Sequence, residues 1–354
     1  MMQIGSASLA SEQPSKPGRD EPRRRPTIRD ICAEAGVSKG LVSMILNGTP
    51  GPSAETTARV LAIADRLGYR TNRTASLLAR RRSRMLGVTV TPSNPFHAEL
   101  VEEIQRVADL RGYEVGLGAV TPSHDERQVI ETLLDFRCEA LFLLGSLLPA
   151  ADLATLTRGI PVVSIGRPME LPEFDVVRTG DREGFRLLID HLVSLGHRRI
   201  AHADGGDGFV AAERRRAYAE AMAYHGLPPL ILPGGETEPD GITAAAALDP
   251  SAGVTAVAAY NDRCAIGVLD HFDRAGIDVP RQMSVTGYDN SFLAQLHRLD
   301  LTTVSQEPRE QARLAVEAMI ERLDGGRAEG REIILEPHLV VRGSTGRAPA
   351  VGTP

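Results

Sequence analysis

Between Met85 and Asp289 short apolar runs alternate with amphipathic segments, and this alternation leaves few folds open. MLGVTVT, YEVGLGAV, EALFLLG, IPVVSIG, RRIAHADG, VTAVAAY and MSVTGYD read as strands, and VVRTG follows IPVVSIG. The segments between them carry helical spacing: in residues 96–111, Leu100, Val101, Ile104, Val107, Ala108 and Leu110 fall on one side, and 127–135, 182–195, 211–225 and 263–275 repeat the pattern. Strands alternating with helices of about 10–15 residues make a parallel sheet covered on both faces, because each parallel pair needs a crossover. The units exceed one compact sheet, so two α/β lobes are expected, and 354 residues leave room for a further domain. Ligands of such open sheets sit at the carboxyl ends of the strands.

Residues 27–84 follow a different rule. Thr27 stands three residues before Asp30, a capping pair, and Ile28, Ile31, Cys32 and Ala35 share one face of the helix that follows. Gly36 suits its left-handed stop, Val37 plugs the turn, and Ser38 caps a second helix that turns Leu41, Val42, Ile45 and Leu46 inward before Asn47-Gly48 ends it. Two short helices joined by a glycine turn are the helix-turn-helix pattern, whose second helix points its first outward positions at the DNA major groove. Here those are Lys39, Gly40, Ser43 and Met44. A third helix, capped by Ser53 or Thr56, buries Val60, Leu61, Ile63, Ala64 and Leu67 and stops at Gly68. Charge agrees: residues 19–84 hold 14 Lys+Arg against 6 Asp+Glu, and residues 85–354 hold 25 against 39. A basic head on an acidic body meets phosphates at one end only.

With AGVS, VS, LNG and LGYRTNRTASLLA at these spacings, residues 27–84 resemble the headpiece of the LacI/GalR family of bacterial transcriptional regulators, and the likeness continues through NPFHAEL, IPVVSIGRP, LGHRRIAHADG, AYNDRCAIGVL, VPRQMSVTGYDN, LTTVSQEP and HLVVRGSTG. The resemblance implies an all-α helix-turn-helix headpiece plus an α/β two-lobed, periplasmic-binding-protein-like effector domain with parallel sheets. Residues 1–25, polar and Pro-rich, read as a disordered extension; the resemblance gives 26–71 as the DNA-binding domain, 72–84 as hinge helix and linker and 85–346 as the effector domain, with 347–354 a tail. Lobe one takes about 85–180 and 304–330, and lobe two about 181–303 and 331–346. DNA contacts fall to Thr27, Ser38, Lys39, Gly40, Ser43, Met44 and Asn47 in the headpiece, and to Asn72, Arg73, Ala75, Ser76 and Leu78 in the hinge, with Leu78 as the lever that wedges between base steps in the minor groove. Gly40 and Met44 depart from the family, which usually has base-reading side chains there; Lys39 and Ser43 can donate, and Met44 can touch a thymine methyl, so a divergent operator is expected.

For the effector the resemblance and the strand ends point to Asn94, Phe96 and His97 after the first strand, Arg214, Asn261 and Asp289, while Glu236, standing where the family often has a stacking aromatic, is expected to supply an acceptor. Arginine offers a rigid fork of donors suited to hydroxyls or carboxylate, and Asp289 accepts two hydroxyls. Asn261 and Asp262 compete for one helix cap; Asp262 is expected to take it and to free Asn261 for ligand. Phe96 can stack on an apolar ring face or staple its own helix. Gly166 and Gly180 stand where the family often has carboxylates, and the chain has no Trp. A small polar effector, a sugar or sugar derivative, fits these residues.

Enzyme readings lack residues: there is no GxGxxG after the first strand, no HExxH or GxSxG, no zinc spacing, and the glycines at 205, 206 and 208 lack the Lys and Ser/Thr of a phosphate loop. His197 reads as structural. No cofactor is expected. Cys32, Cys138 and Cys264 form no CxxC and read as reduced thiols of the cytoplasm. The N-terminal residues lack the apolar stretch of a signal peptide, and no 18-residue apolar run spans a membrane, which counts against the alternative of a periplasmic solute receptor without DNA function. The expected assembly is a cytoplasmic, nucleoid-associated homodimer on a pseudo-palindromic double-stranded operator, with no heptad tail for tetramers.

Overall fold

A computed structural model describes residues 26–46, 48–69 and 82–349, and the chain divides into two compact units, the second beginning at Arg82. The first holds three helices, α1 (Ile28–Ala35), α2 (Lys39–Leu46) and α3 (Ala54–Arg66). Their ends follow the chemistry of the sequence. The Asp30 carboxylate accepts from the Thr27 N–H (2.6 Å) and hydroxyl (2.7 Å), Gly36 takes the left-handed conformation at φ 66°, Ser38 Oγ accepts from the Leu41 N–H, and Ser53, rather than Thr56, caps α3. Ile31, Ala35, Val42, Ile45, Val60, Ile63 and Ala64 form the small core. Leu61, expected inside, is 46% exposed: on a thirteen-residue helix with Val60, Ile63 and Ala64 inward, position 61 falls off the buried stripe.

The second unit contains two six-stranded sheets. The first runs β11 (Glu332–Leu335), β5 (Phe174–Thr179), β4 (Val162–Ile165), β3 (Ala140–Leu144), β1 (Met85–Val90), β2 (Glu114–Ala119), all parallel. The second runs β12 (His338–Val340), β10 (Thr302–Ser305), β9 (Ser284–Asp289), β8 (Ala256–Ala259), β6 (Ile200–Ala203), β7 (Leu230–Leu232), parallel except for β12. Helices α4 (Pro95–Leu110), α5 (Glu126–Asp135), α6 (Ala150–Leu156) and α11 (Pro308–Gly325) belong with the first lobe; α7 (Asp181–Ser194), α8 (Phe209–Tyr224), α9 (Glu238–Ala246) and α10 (Asp262–Arg274) belong with the second. Each sheet sits between two apolar layers, as in the clusters around Leu86, Val88 and Ile104 on one face of the first sheet and Leu141, Leu143 and Ile130 on the other.

The lobe boundaries expected from the sequence shift at the C-terminal end. Thr302–Ser305 pairs with β9 as one complete strand of the second sheet, so the crossover falls after it rather than at 304. Glu332–Leu335, placed with lobe two in the expectation, adds to β5 of the first sheet, and only β12 returns to the second. Which sheet a short strand joins is decided by its partners in the fold and leaves no local signal. The three crossings are laced together: Thr179 Oγ1 donates to Gln306 O (2.9 Å), Gln311 Nε2 donates to Thr179 Oγ1 (2.8 Å) and to Gln306 O (2.7 Å), and the Gly180 N–H donates to Leu335 O (3.1 Å).

Where this unit begins, Arg82 donates to Asp324 Oδ1 at the end of α11 (2.7 Å), to Tyr113 Oη before β2 (2.7 Å) and to Glu139 Oε2 before β3 (2.9 Å). In the second lobe α9 and α10 cross at two glycines. A Cβ on Gly267 would lie 1.9 Å from Glu238 O, and one on Gly241 2.0 Å from Cys264 O, so both backbones meet with no room for a side chain. Gly267→Ala gains about 1 kcal/mol of helix propensity, but opening a gap between two backbones costs more, about 1–3 kcal/mol or above. The expected outcome is a net fall in the urea midpoint of the second unit; an unchanged or raised midpoint would show that the two helices separate at little cost.

Candidate functional site

A cavity of about 370 Å³ lies between the two lobes, at the carboxyl ends of their strands. All seven residues expected to meet an effector line it: Asn94, Phe96 and His97 from the first lobe, and Arg214, Glu236, Asn261 and Asp289 from the second. Gly166 lines it as well, whereas Gly180 caps α7 outside it. Contacts across the cleft join the walls: the Arg167 guanidinium lies 3.5 Å above the Phe209 ring, the Phe292 N–H donates to Glu99 Oε1 (3.0 Å), and Arg263 Nη1 reaches Ser93 Oγ (3.5 Å).

Arg214 organises the second-lobe side. It is 3% exposed, in the second turn of α8, with Nε on Asp181 Oδ1 (3.0 Å) and Nη1 on the Tyr260 carbonyl (2.7 Å). Its guanidinium lies 3.9 Å over the Tyr288 ring, and Nη2 stands 3.7 Å from Asp289 Oδ1, beyond hydrogen-bond length. Burial works against its charge, but Asp181, Tyr260 and Asp289 outweigh that and hold it protonated. Asp289, at a positive φ of 121°, lines the cavity, and its Oδ1 accepts from Gln306 Nε2 (2.6 Å). Burial pushes its carboxyl well above the usual range, while Arg214 pulls the other way. Glu236 is likewise raised by burial, against the pull of Arg214 and the Tyr260 hydroxyl.

The cap on α10 is reversed from expectation. Asn261 is the cap: Oδ1 accepts from the Cys264 N–H (2.8 Å), and Nδ2 donates to Glu236 O (3.1 Å). Asp262 is taken elsewhere, accepting from the Thr303 hydroxyl (2.6 Å) and the Ser291 N–H (2.7 Å). Asn261 therefore reaches the cavity with its amide already oriented by its neighbours. Asn94 caps α4 in the same manner, Oδ1 accepting from the Phe96 N–H (3.0 Å). Phe96 is 7% exposed and packs into the first-lobe core with one side in the cavity. His97 Nδ1 accepts from the Thr91 N–H (3.2 Å), which fixes the proton on Nε2 and makes His97 a donor toward the cavity beside Gly145. His197 is structural, buried between Thr255 Oγ1 (2.8 Å), Ser284 Oγ (3.0 Å) and Gly346 O (3.1 Å). Sequence reading missed Gln306, Tyr260, Glu126 and Ser146, which also line the cavity.

On the headpiece, Lys39, Gly40 and Met44 are exposed along the outward face of α2, Ser43 is half-buried beside them, and Thr27 and Ser38 sit at helix starts. Asn47 and the hinge positions Asn72, Arg73, Ala75, Ser76 and Leu78 lie outside the described residues.

A helix-turn-helix unit on the same chain as a two-lobed unit with a polar cleft defines the class of ligand-responsive transcriptional regulators. Residues 27–72 match the model of bacterial regulatory proteins of the lacI family, and residues 189–345 that of the periplasmic binding protein-like domain. The transcriptional regulator reg1 of Streptomyces lividans is 34% identical over 348 residues, 91% of this chain and 97% of the relative. The lac repressor dimer bound to operator and the anti-inducer ONPF superposes with a TM-score of 0.78 at 25% identity, covering 91% of this chain and 100% of that one. A CelR–cellobiose complex superposes at 0.67 with 28% identity, covering 90% and 100%. The chain belongs to the lacI family of bacterial transcriptional regulators.

Burial lowers the His97 pKa to about 4, from an ordinary 6.5 in the unfolded chain. Above pH 6.5 both states are neutral at this residue; from 6.5 down to 4 only the unfolded chain gains the proton, so stability falls with pH by roughly 3 kcal/mol over the window and no further below it. His97→Asn, whose carbonyl keeps the Thr91 bond, is expected to flatten that part of the stability-against-pH curve. Parallel wild-type and variant curves between pH 4 and 6.5 would contradict the neutral, buried imidazole.

Proposed function

We propose that this protein is a repressor whose operator affinity is set by a sugar or sugar derivative bound in the cleft. The observation that carries the reading is the convergence of Asn94, Phe96 and His97 from one lobe with Arg214, Glu236, Asn261 and Asp289 from the other on a single cavity. The polar set combines donors (Arg214 Nη2, His97 Nε2–H) with acceptors (Asp289, Glu236), and Phe96, Leu144 and Ile165 supply apolar wall. Hydroxyls both donate and accept, and a pyranose ring offers an apolar face, so a carbohydrate uses both features. The cellobiose in the CelR complex supports the same class.

DNA binding falls to the outward face of α2, with Lys39, Gly40, Ser43 and Met44 in the major groove, and to a hinge around residues 72–79 with Leu78 as minor-groove wedge. Two chains pair on a pseudo-palindrome because two-fold symmetry presents two reading helices, and the operator-bound lac repressor dimer supports this arrangement. Effector and operator affinities are then reciprocally coupled, by about 1–3 kcal/mol in typical systems. No catalytic step is assigned. No described helix is long and apolar enough to cross a membrane, and we place the protein in the cytoplasm.

Two variants test the two ends. Leu78→Ala is expected to weaken binding to an operator selected from genomic fragments by about tenfold or more, while random duplex, held through phosphates, changes by less than about twofold; equal losses on both would remove Leu78 as the wedge. Removing the Arg214 charge would leave Asp181 and Asp289 buried without their partner, at about 3–5 kcal/mol, so Arg214→Lys is the informative change. It keeps the charge, loses the fork, and is expected to abolish the effector's effect on operator binding with operator affinity intact. A full effector response in Arg214→Lys would take the guanidinium out of recognition.

A further inference from the structure

Arg167, two residues after β4, carries a charge that its own lobe satisfies only in part. It is 3% exposed. Its Nη1 donates to the carbonyls of Ser146 (3.0 Å) and Leu148 (2.5 Å), and its Nε has no partner in the protein. Burial lowers its pKa, and Glu126 offsets this only partly. The outer face of the guanidinium is covered from the second lobe: the ring of Phe209, the first residue of α8, has its centre 3.5 Å from it. A cation over an aromatic face is held by the ring's quadrupole, most strongly where water is kept away.

The first-lobe half of this contact is rigid. Glu126 Oε2 accepts from the Leu147 N–H (2.9 Å) and the Leu148 N–H (3.2 Å), so the loop after β3 is gripped by Glu126 and by Arg167 together, and Arg167 is not free to follow Phe209. Leu147 on the same loop meets the second lobe as well, since a Cβ on Gly208 would lie 3.5 Å from its Cδ2. At another point of the cleft the Phe292 N–H of the second lobe donates to Glu99 Oε1 of the first (3.0 Å). These contacts lie outside the joint of Thr179, Gln306 and Gln311 through which the chain passes between the lobes. Parting the lobes at the cleft therefore breaks the former and leaves the latter bonded, as hinge motion requires.

We infer that Arg167 and Phe209 form a latch that holds the two lobes together with no ligand bound, and that its release is the step that parts them. The latch is independent of what the cavity takes, because neither residue lines the cavity. Parting returns the guanidinium to water, where a charge is well solvated, so hydration competes with the ring and the joined state wins by a modest margin. The latch thereby sets the fraction of molecules with parted lobes. A ligand that enters through the parted form binds with its affinity scaled by that fraction.

The test is amide hydrogen exchange of the full-length protein without ligand, read at the Phe292 N–H, for wild type, Phe209→Ala, Phe209→Leu and Phe209→Trp. Phe209 is 44% exposed, so shortening it opens no core cavity. Leucine keeps apolar bulk without the ring, and tryptophan offers the stronger face to a cation. The Phe292 N–H is far from position 209 in sequence and is bonded to Glu99 only while the lobes are together, so its exchange follows the parted fraction. The expected result is exchange about tenfold faster in Phe209→Ala, faster in Phe209→Leu and slower in Phe209→Trp. The N–H groups of β1 and β8, inside the lobes, keep their wild-type rates. Equal exchange at Phe292 in all four proteins, or an acceleration that β1 and β8 share, overturns the latch. A leucine variant that exchanges as slowly as wild type overturns it too, since the charge would then hold nothing.

Discussion

A guanidinium buried in the second lobe sets the terms for much of what surrounds it. A charge removed from water must be paired and hydrogen-bonded or it destabilises the fold. Arg214 meets that demand through Asp181 on α7, the Tyr260 carbonyl at the end of β8, and Asp289 at the end of β9, with the Tyr288 ring beneath it. Three elements far apart in sequence are thereby held in one arrangement, and the cavity's polar wall is a by-product of it. Tyr288 in turn needs α7 to come close, and Gly184 permits this: a Cβ there would stand 2.3 Å from the tyrosine oxygen. Binding and folding share the same atoms, so the recognition side of this cleft cannot be redesigned one residue at a time.

The crossings between lobes obey a comparable economy. Thr179, Gln306 and Gln311 bind one another and Gly180 binds Leu335, tying the three connecting segments into one joint. Gln306 also donates to Asp289, so the joint and the cavity are adjacent members of one hydrogen-bonded chain. A buried network of this kind is stable only when its members are satisfied together.

Much of the architecture is legible in the sequence because it is local. Capping pairs such as Thr27 with Asp30, the left-handed glycine at 36, and apolar runs alternating with helical spacing each announce their element within a few residues. Helix α9 escapes such a reading because LPGGETEPDG looks like loop; its start is signalled by Thr237 and Asp240, which form a capping pair with Pro239 between them. The places of β10 and β11 differ from expectation, since which sheet a four-residue strand joins depends on partners outside its own stretch, β9 and β12 for the one and the far-off β5 for the other. For the cleft, family likeness locates seven residues that the fold brings together, but it does not say how each is used. Asn261 and Asp262 are equally good caps on paper; Thr303 and Ser291 claim the aspartate, and the asparagine takes what is left. Glu126 and Ser146 carry no signal at all until the loop after β3 is folded.

Helix α11 begins two residues after Gln306, at the cavity, and ends where Asp324 grips Arg82, the point at which the core unit starts. Eighteen residues of α-helix make a stiff rod of about 27 Å. A rod converts small rotations at one end into larger displacements at the other, and a tilt of about 5° over that length moves its tip by roughly 2 Å. A tilt of this rod about its Gln306 end would therefore arrive at Asp324 and Arg82 as a larger displacement, as at the tip of a lever arm.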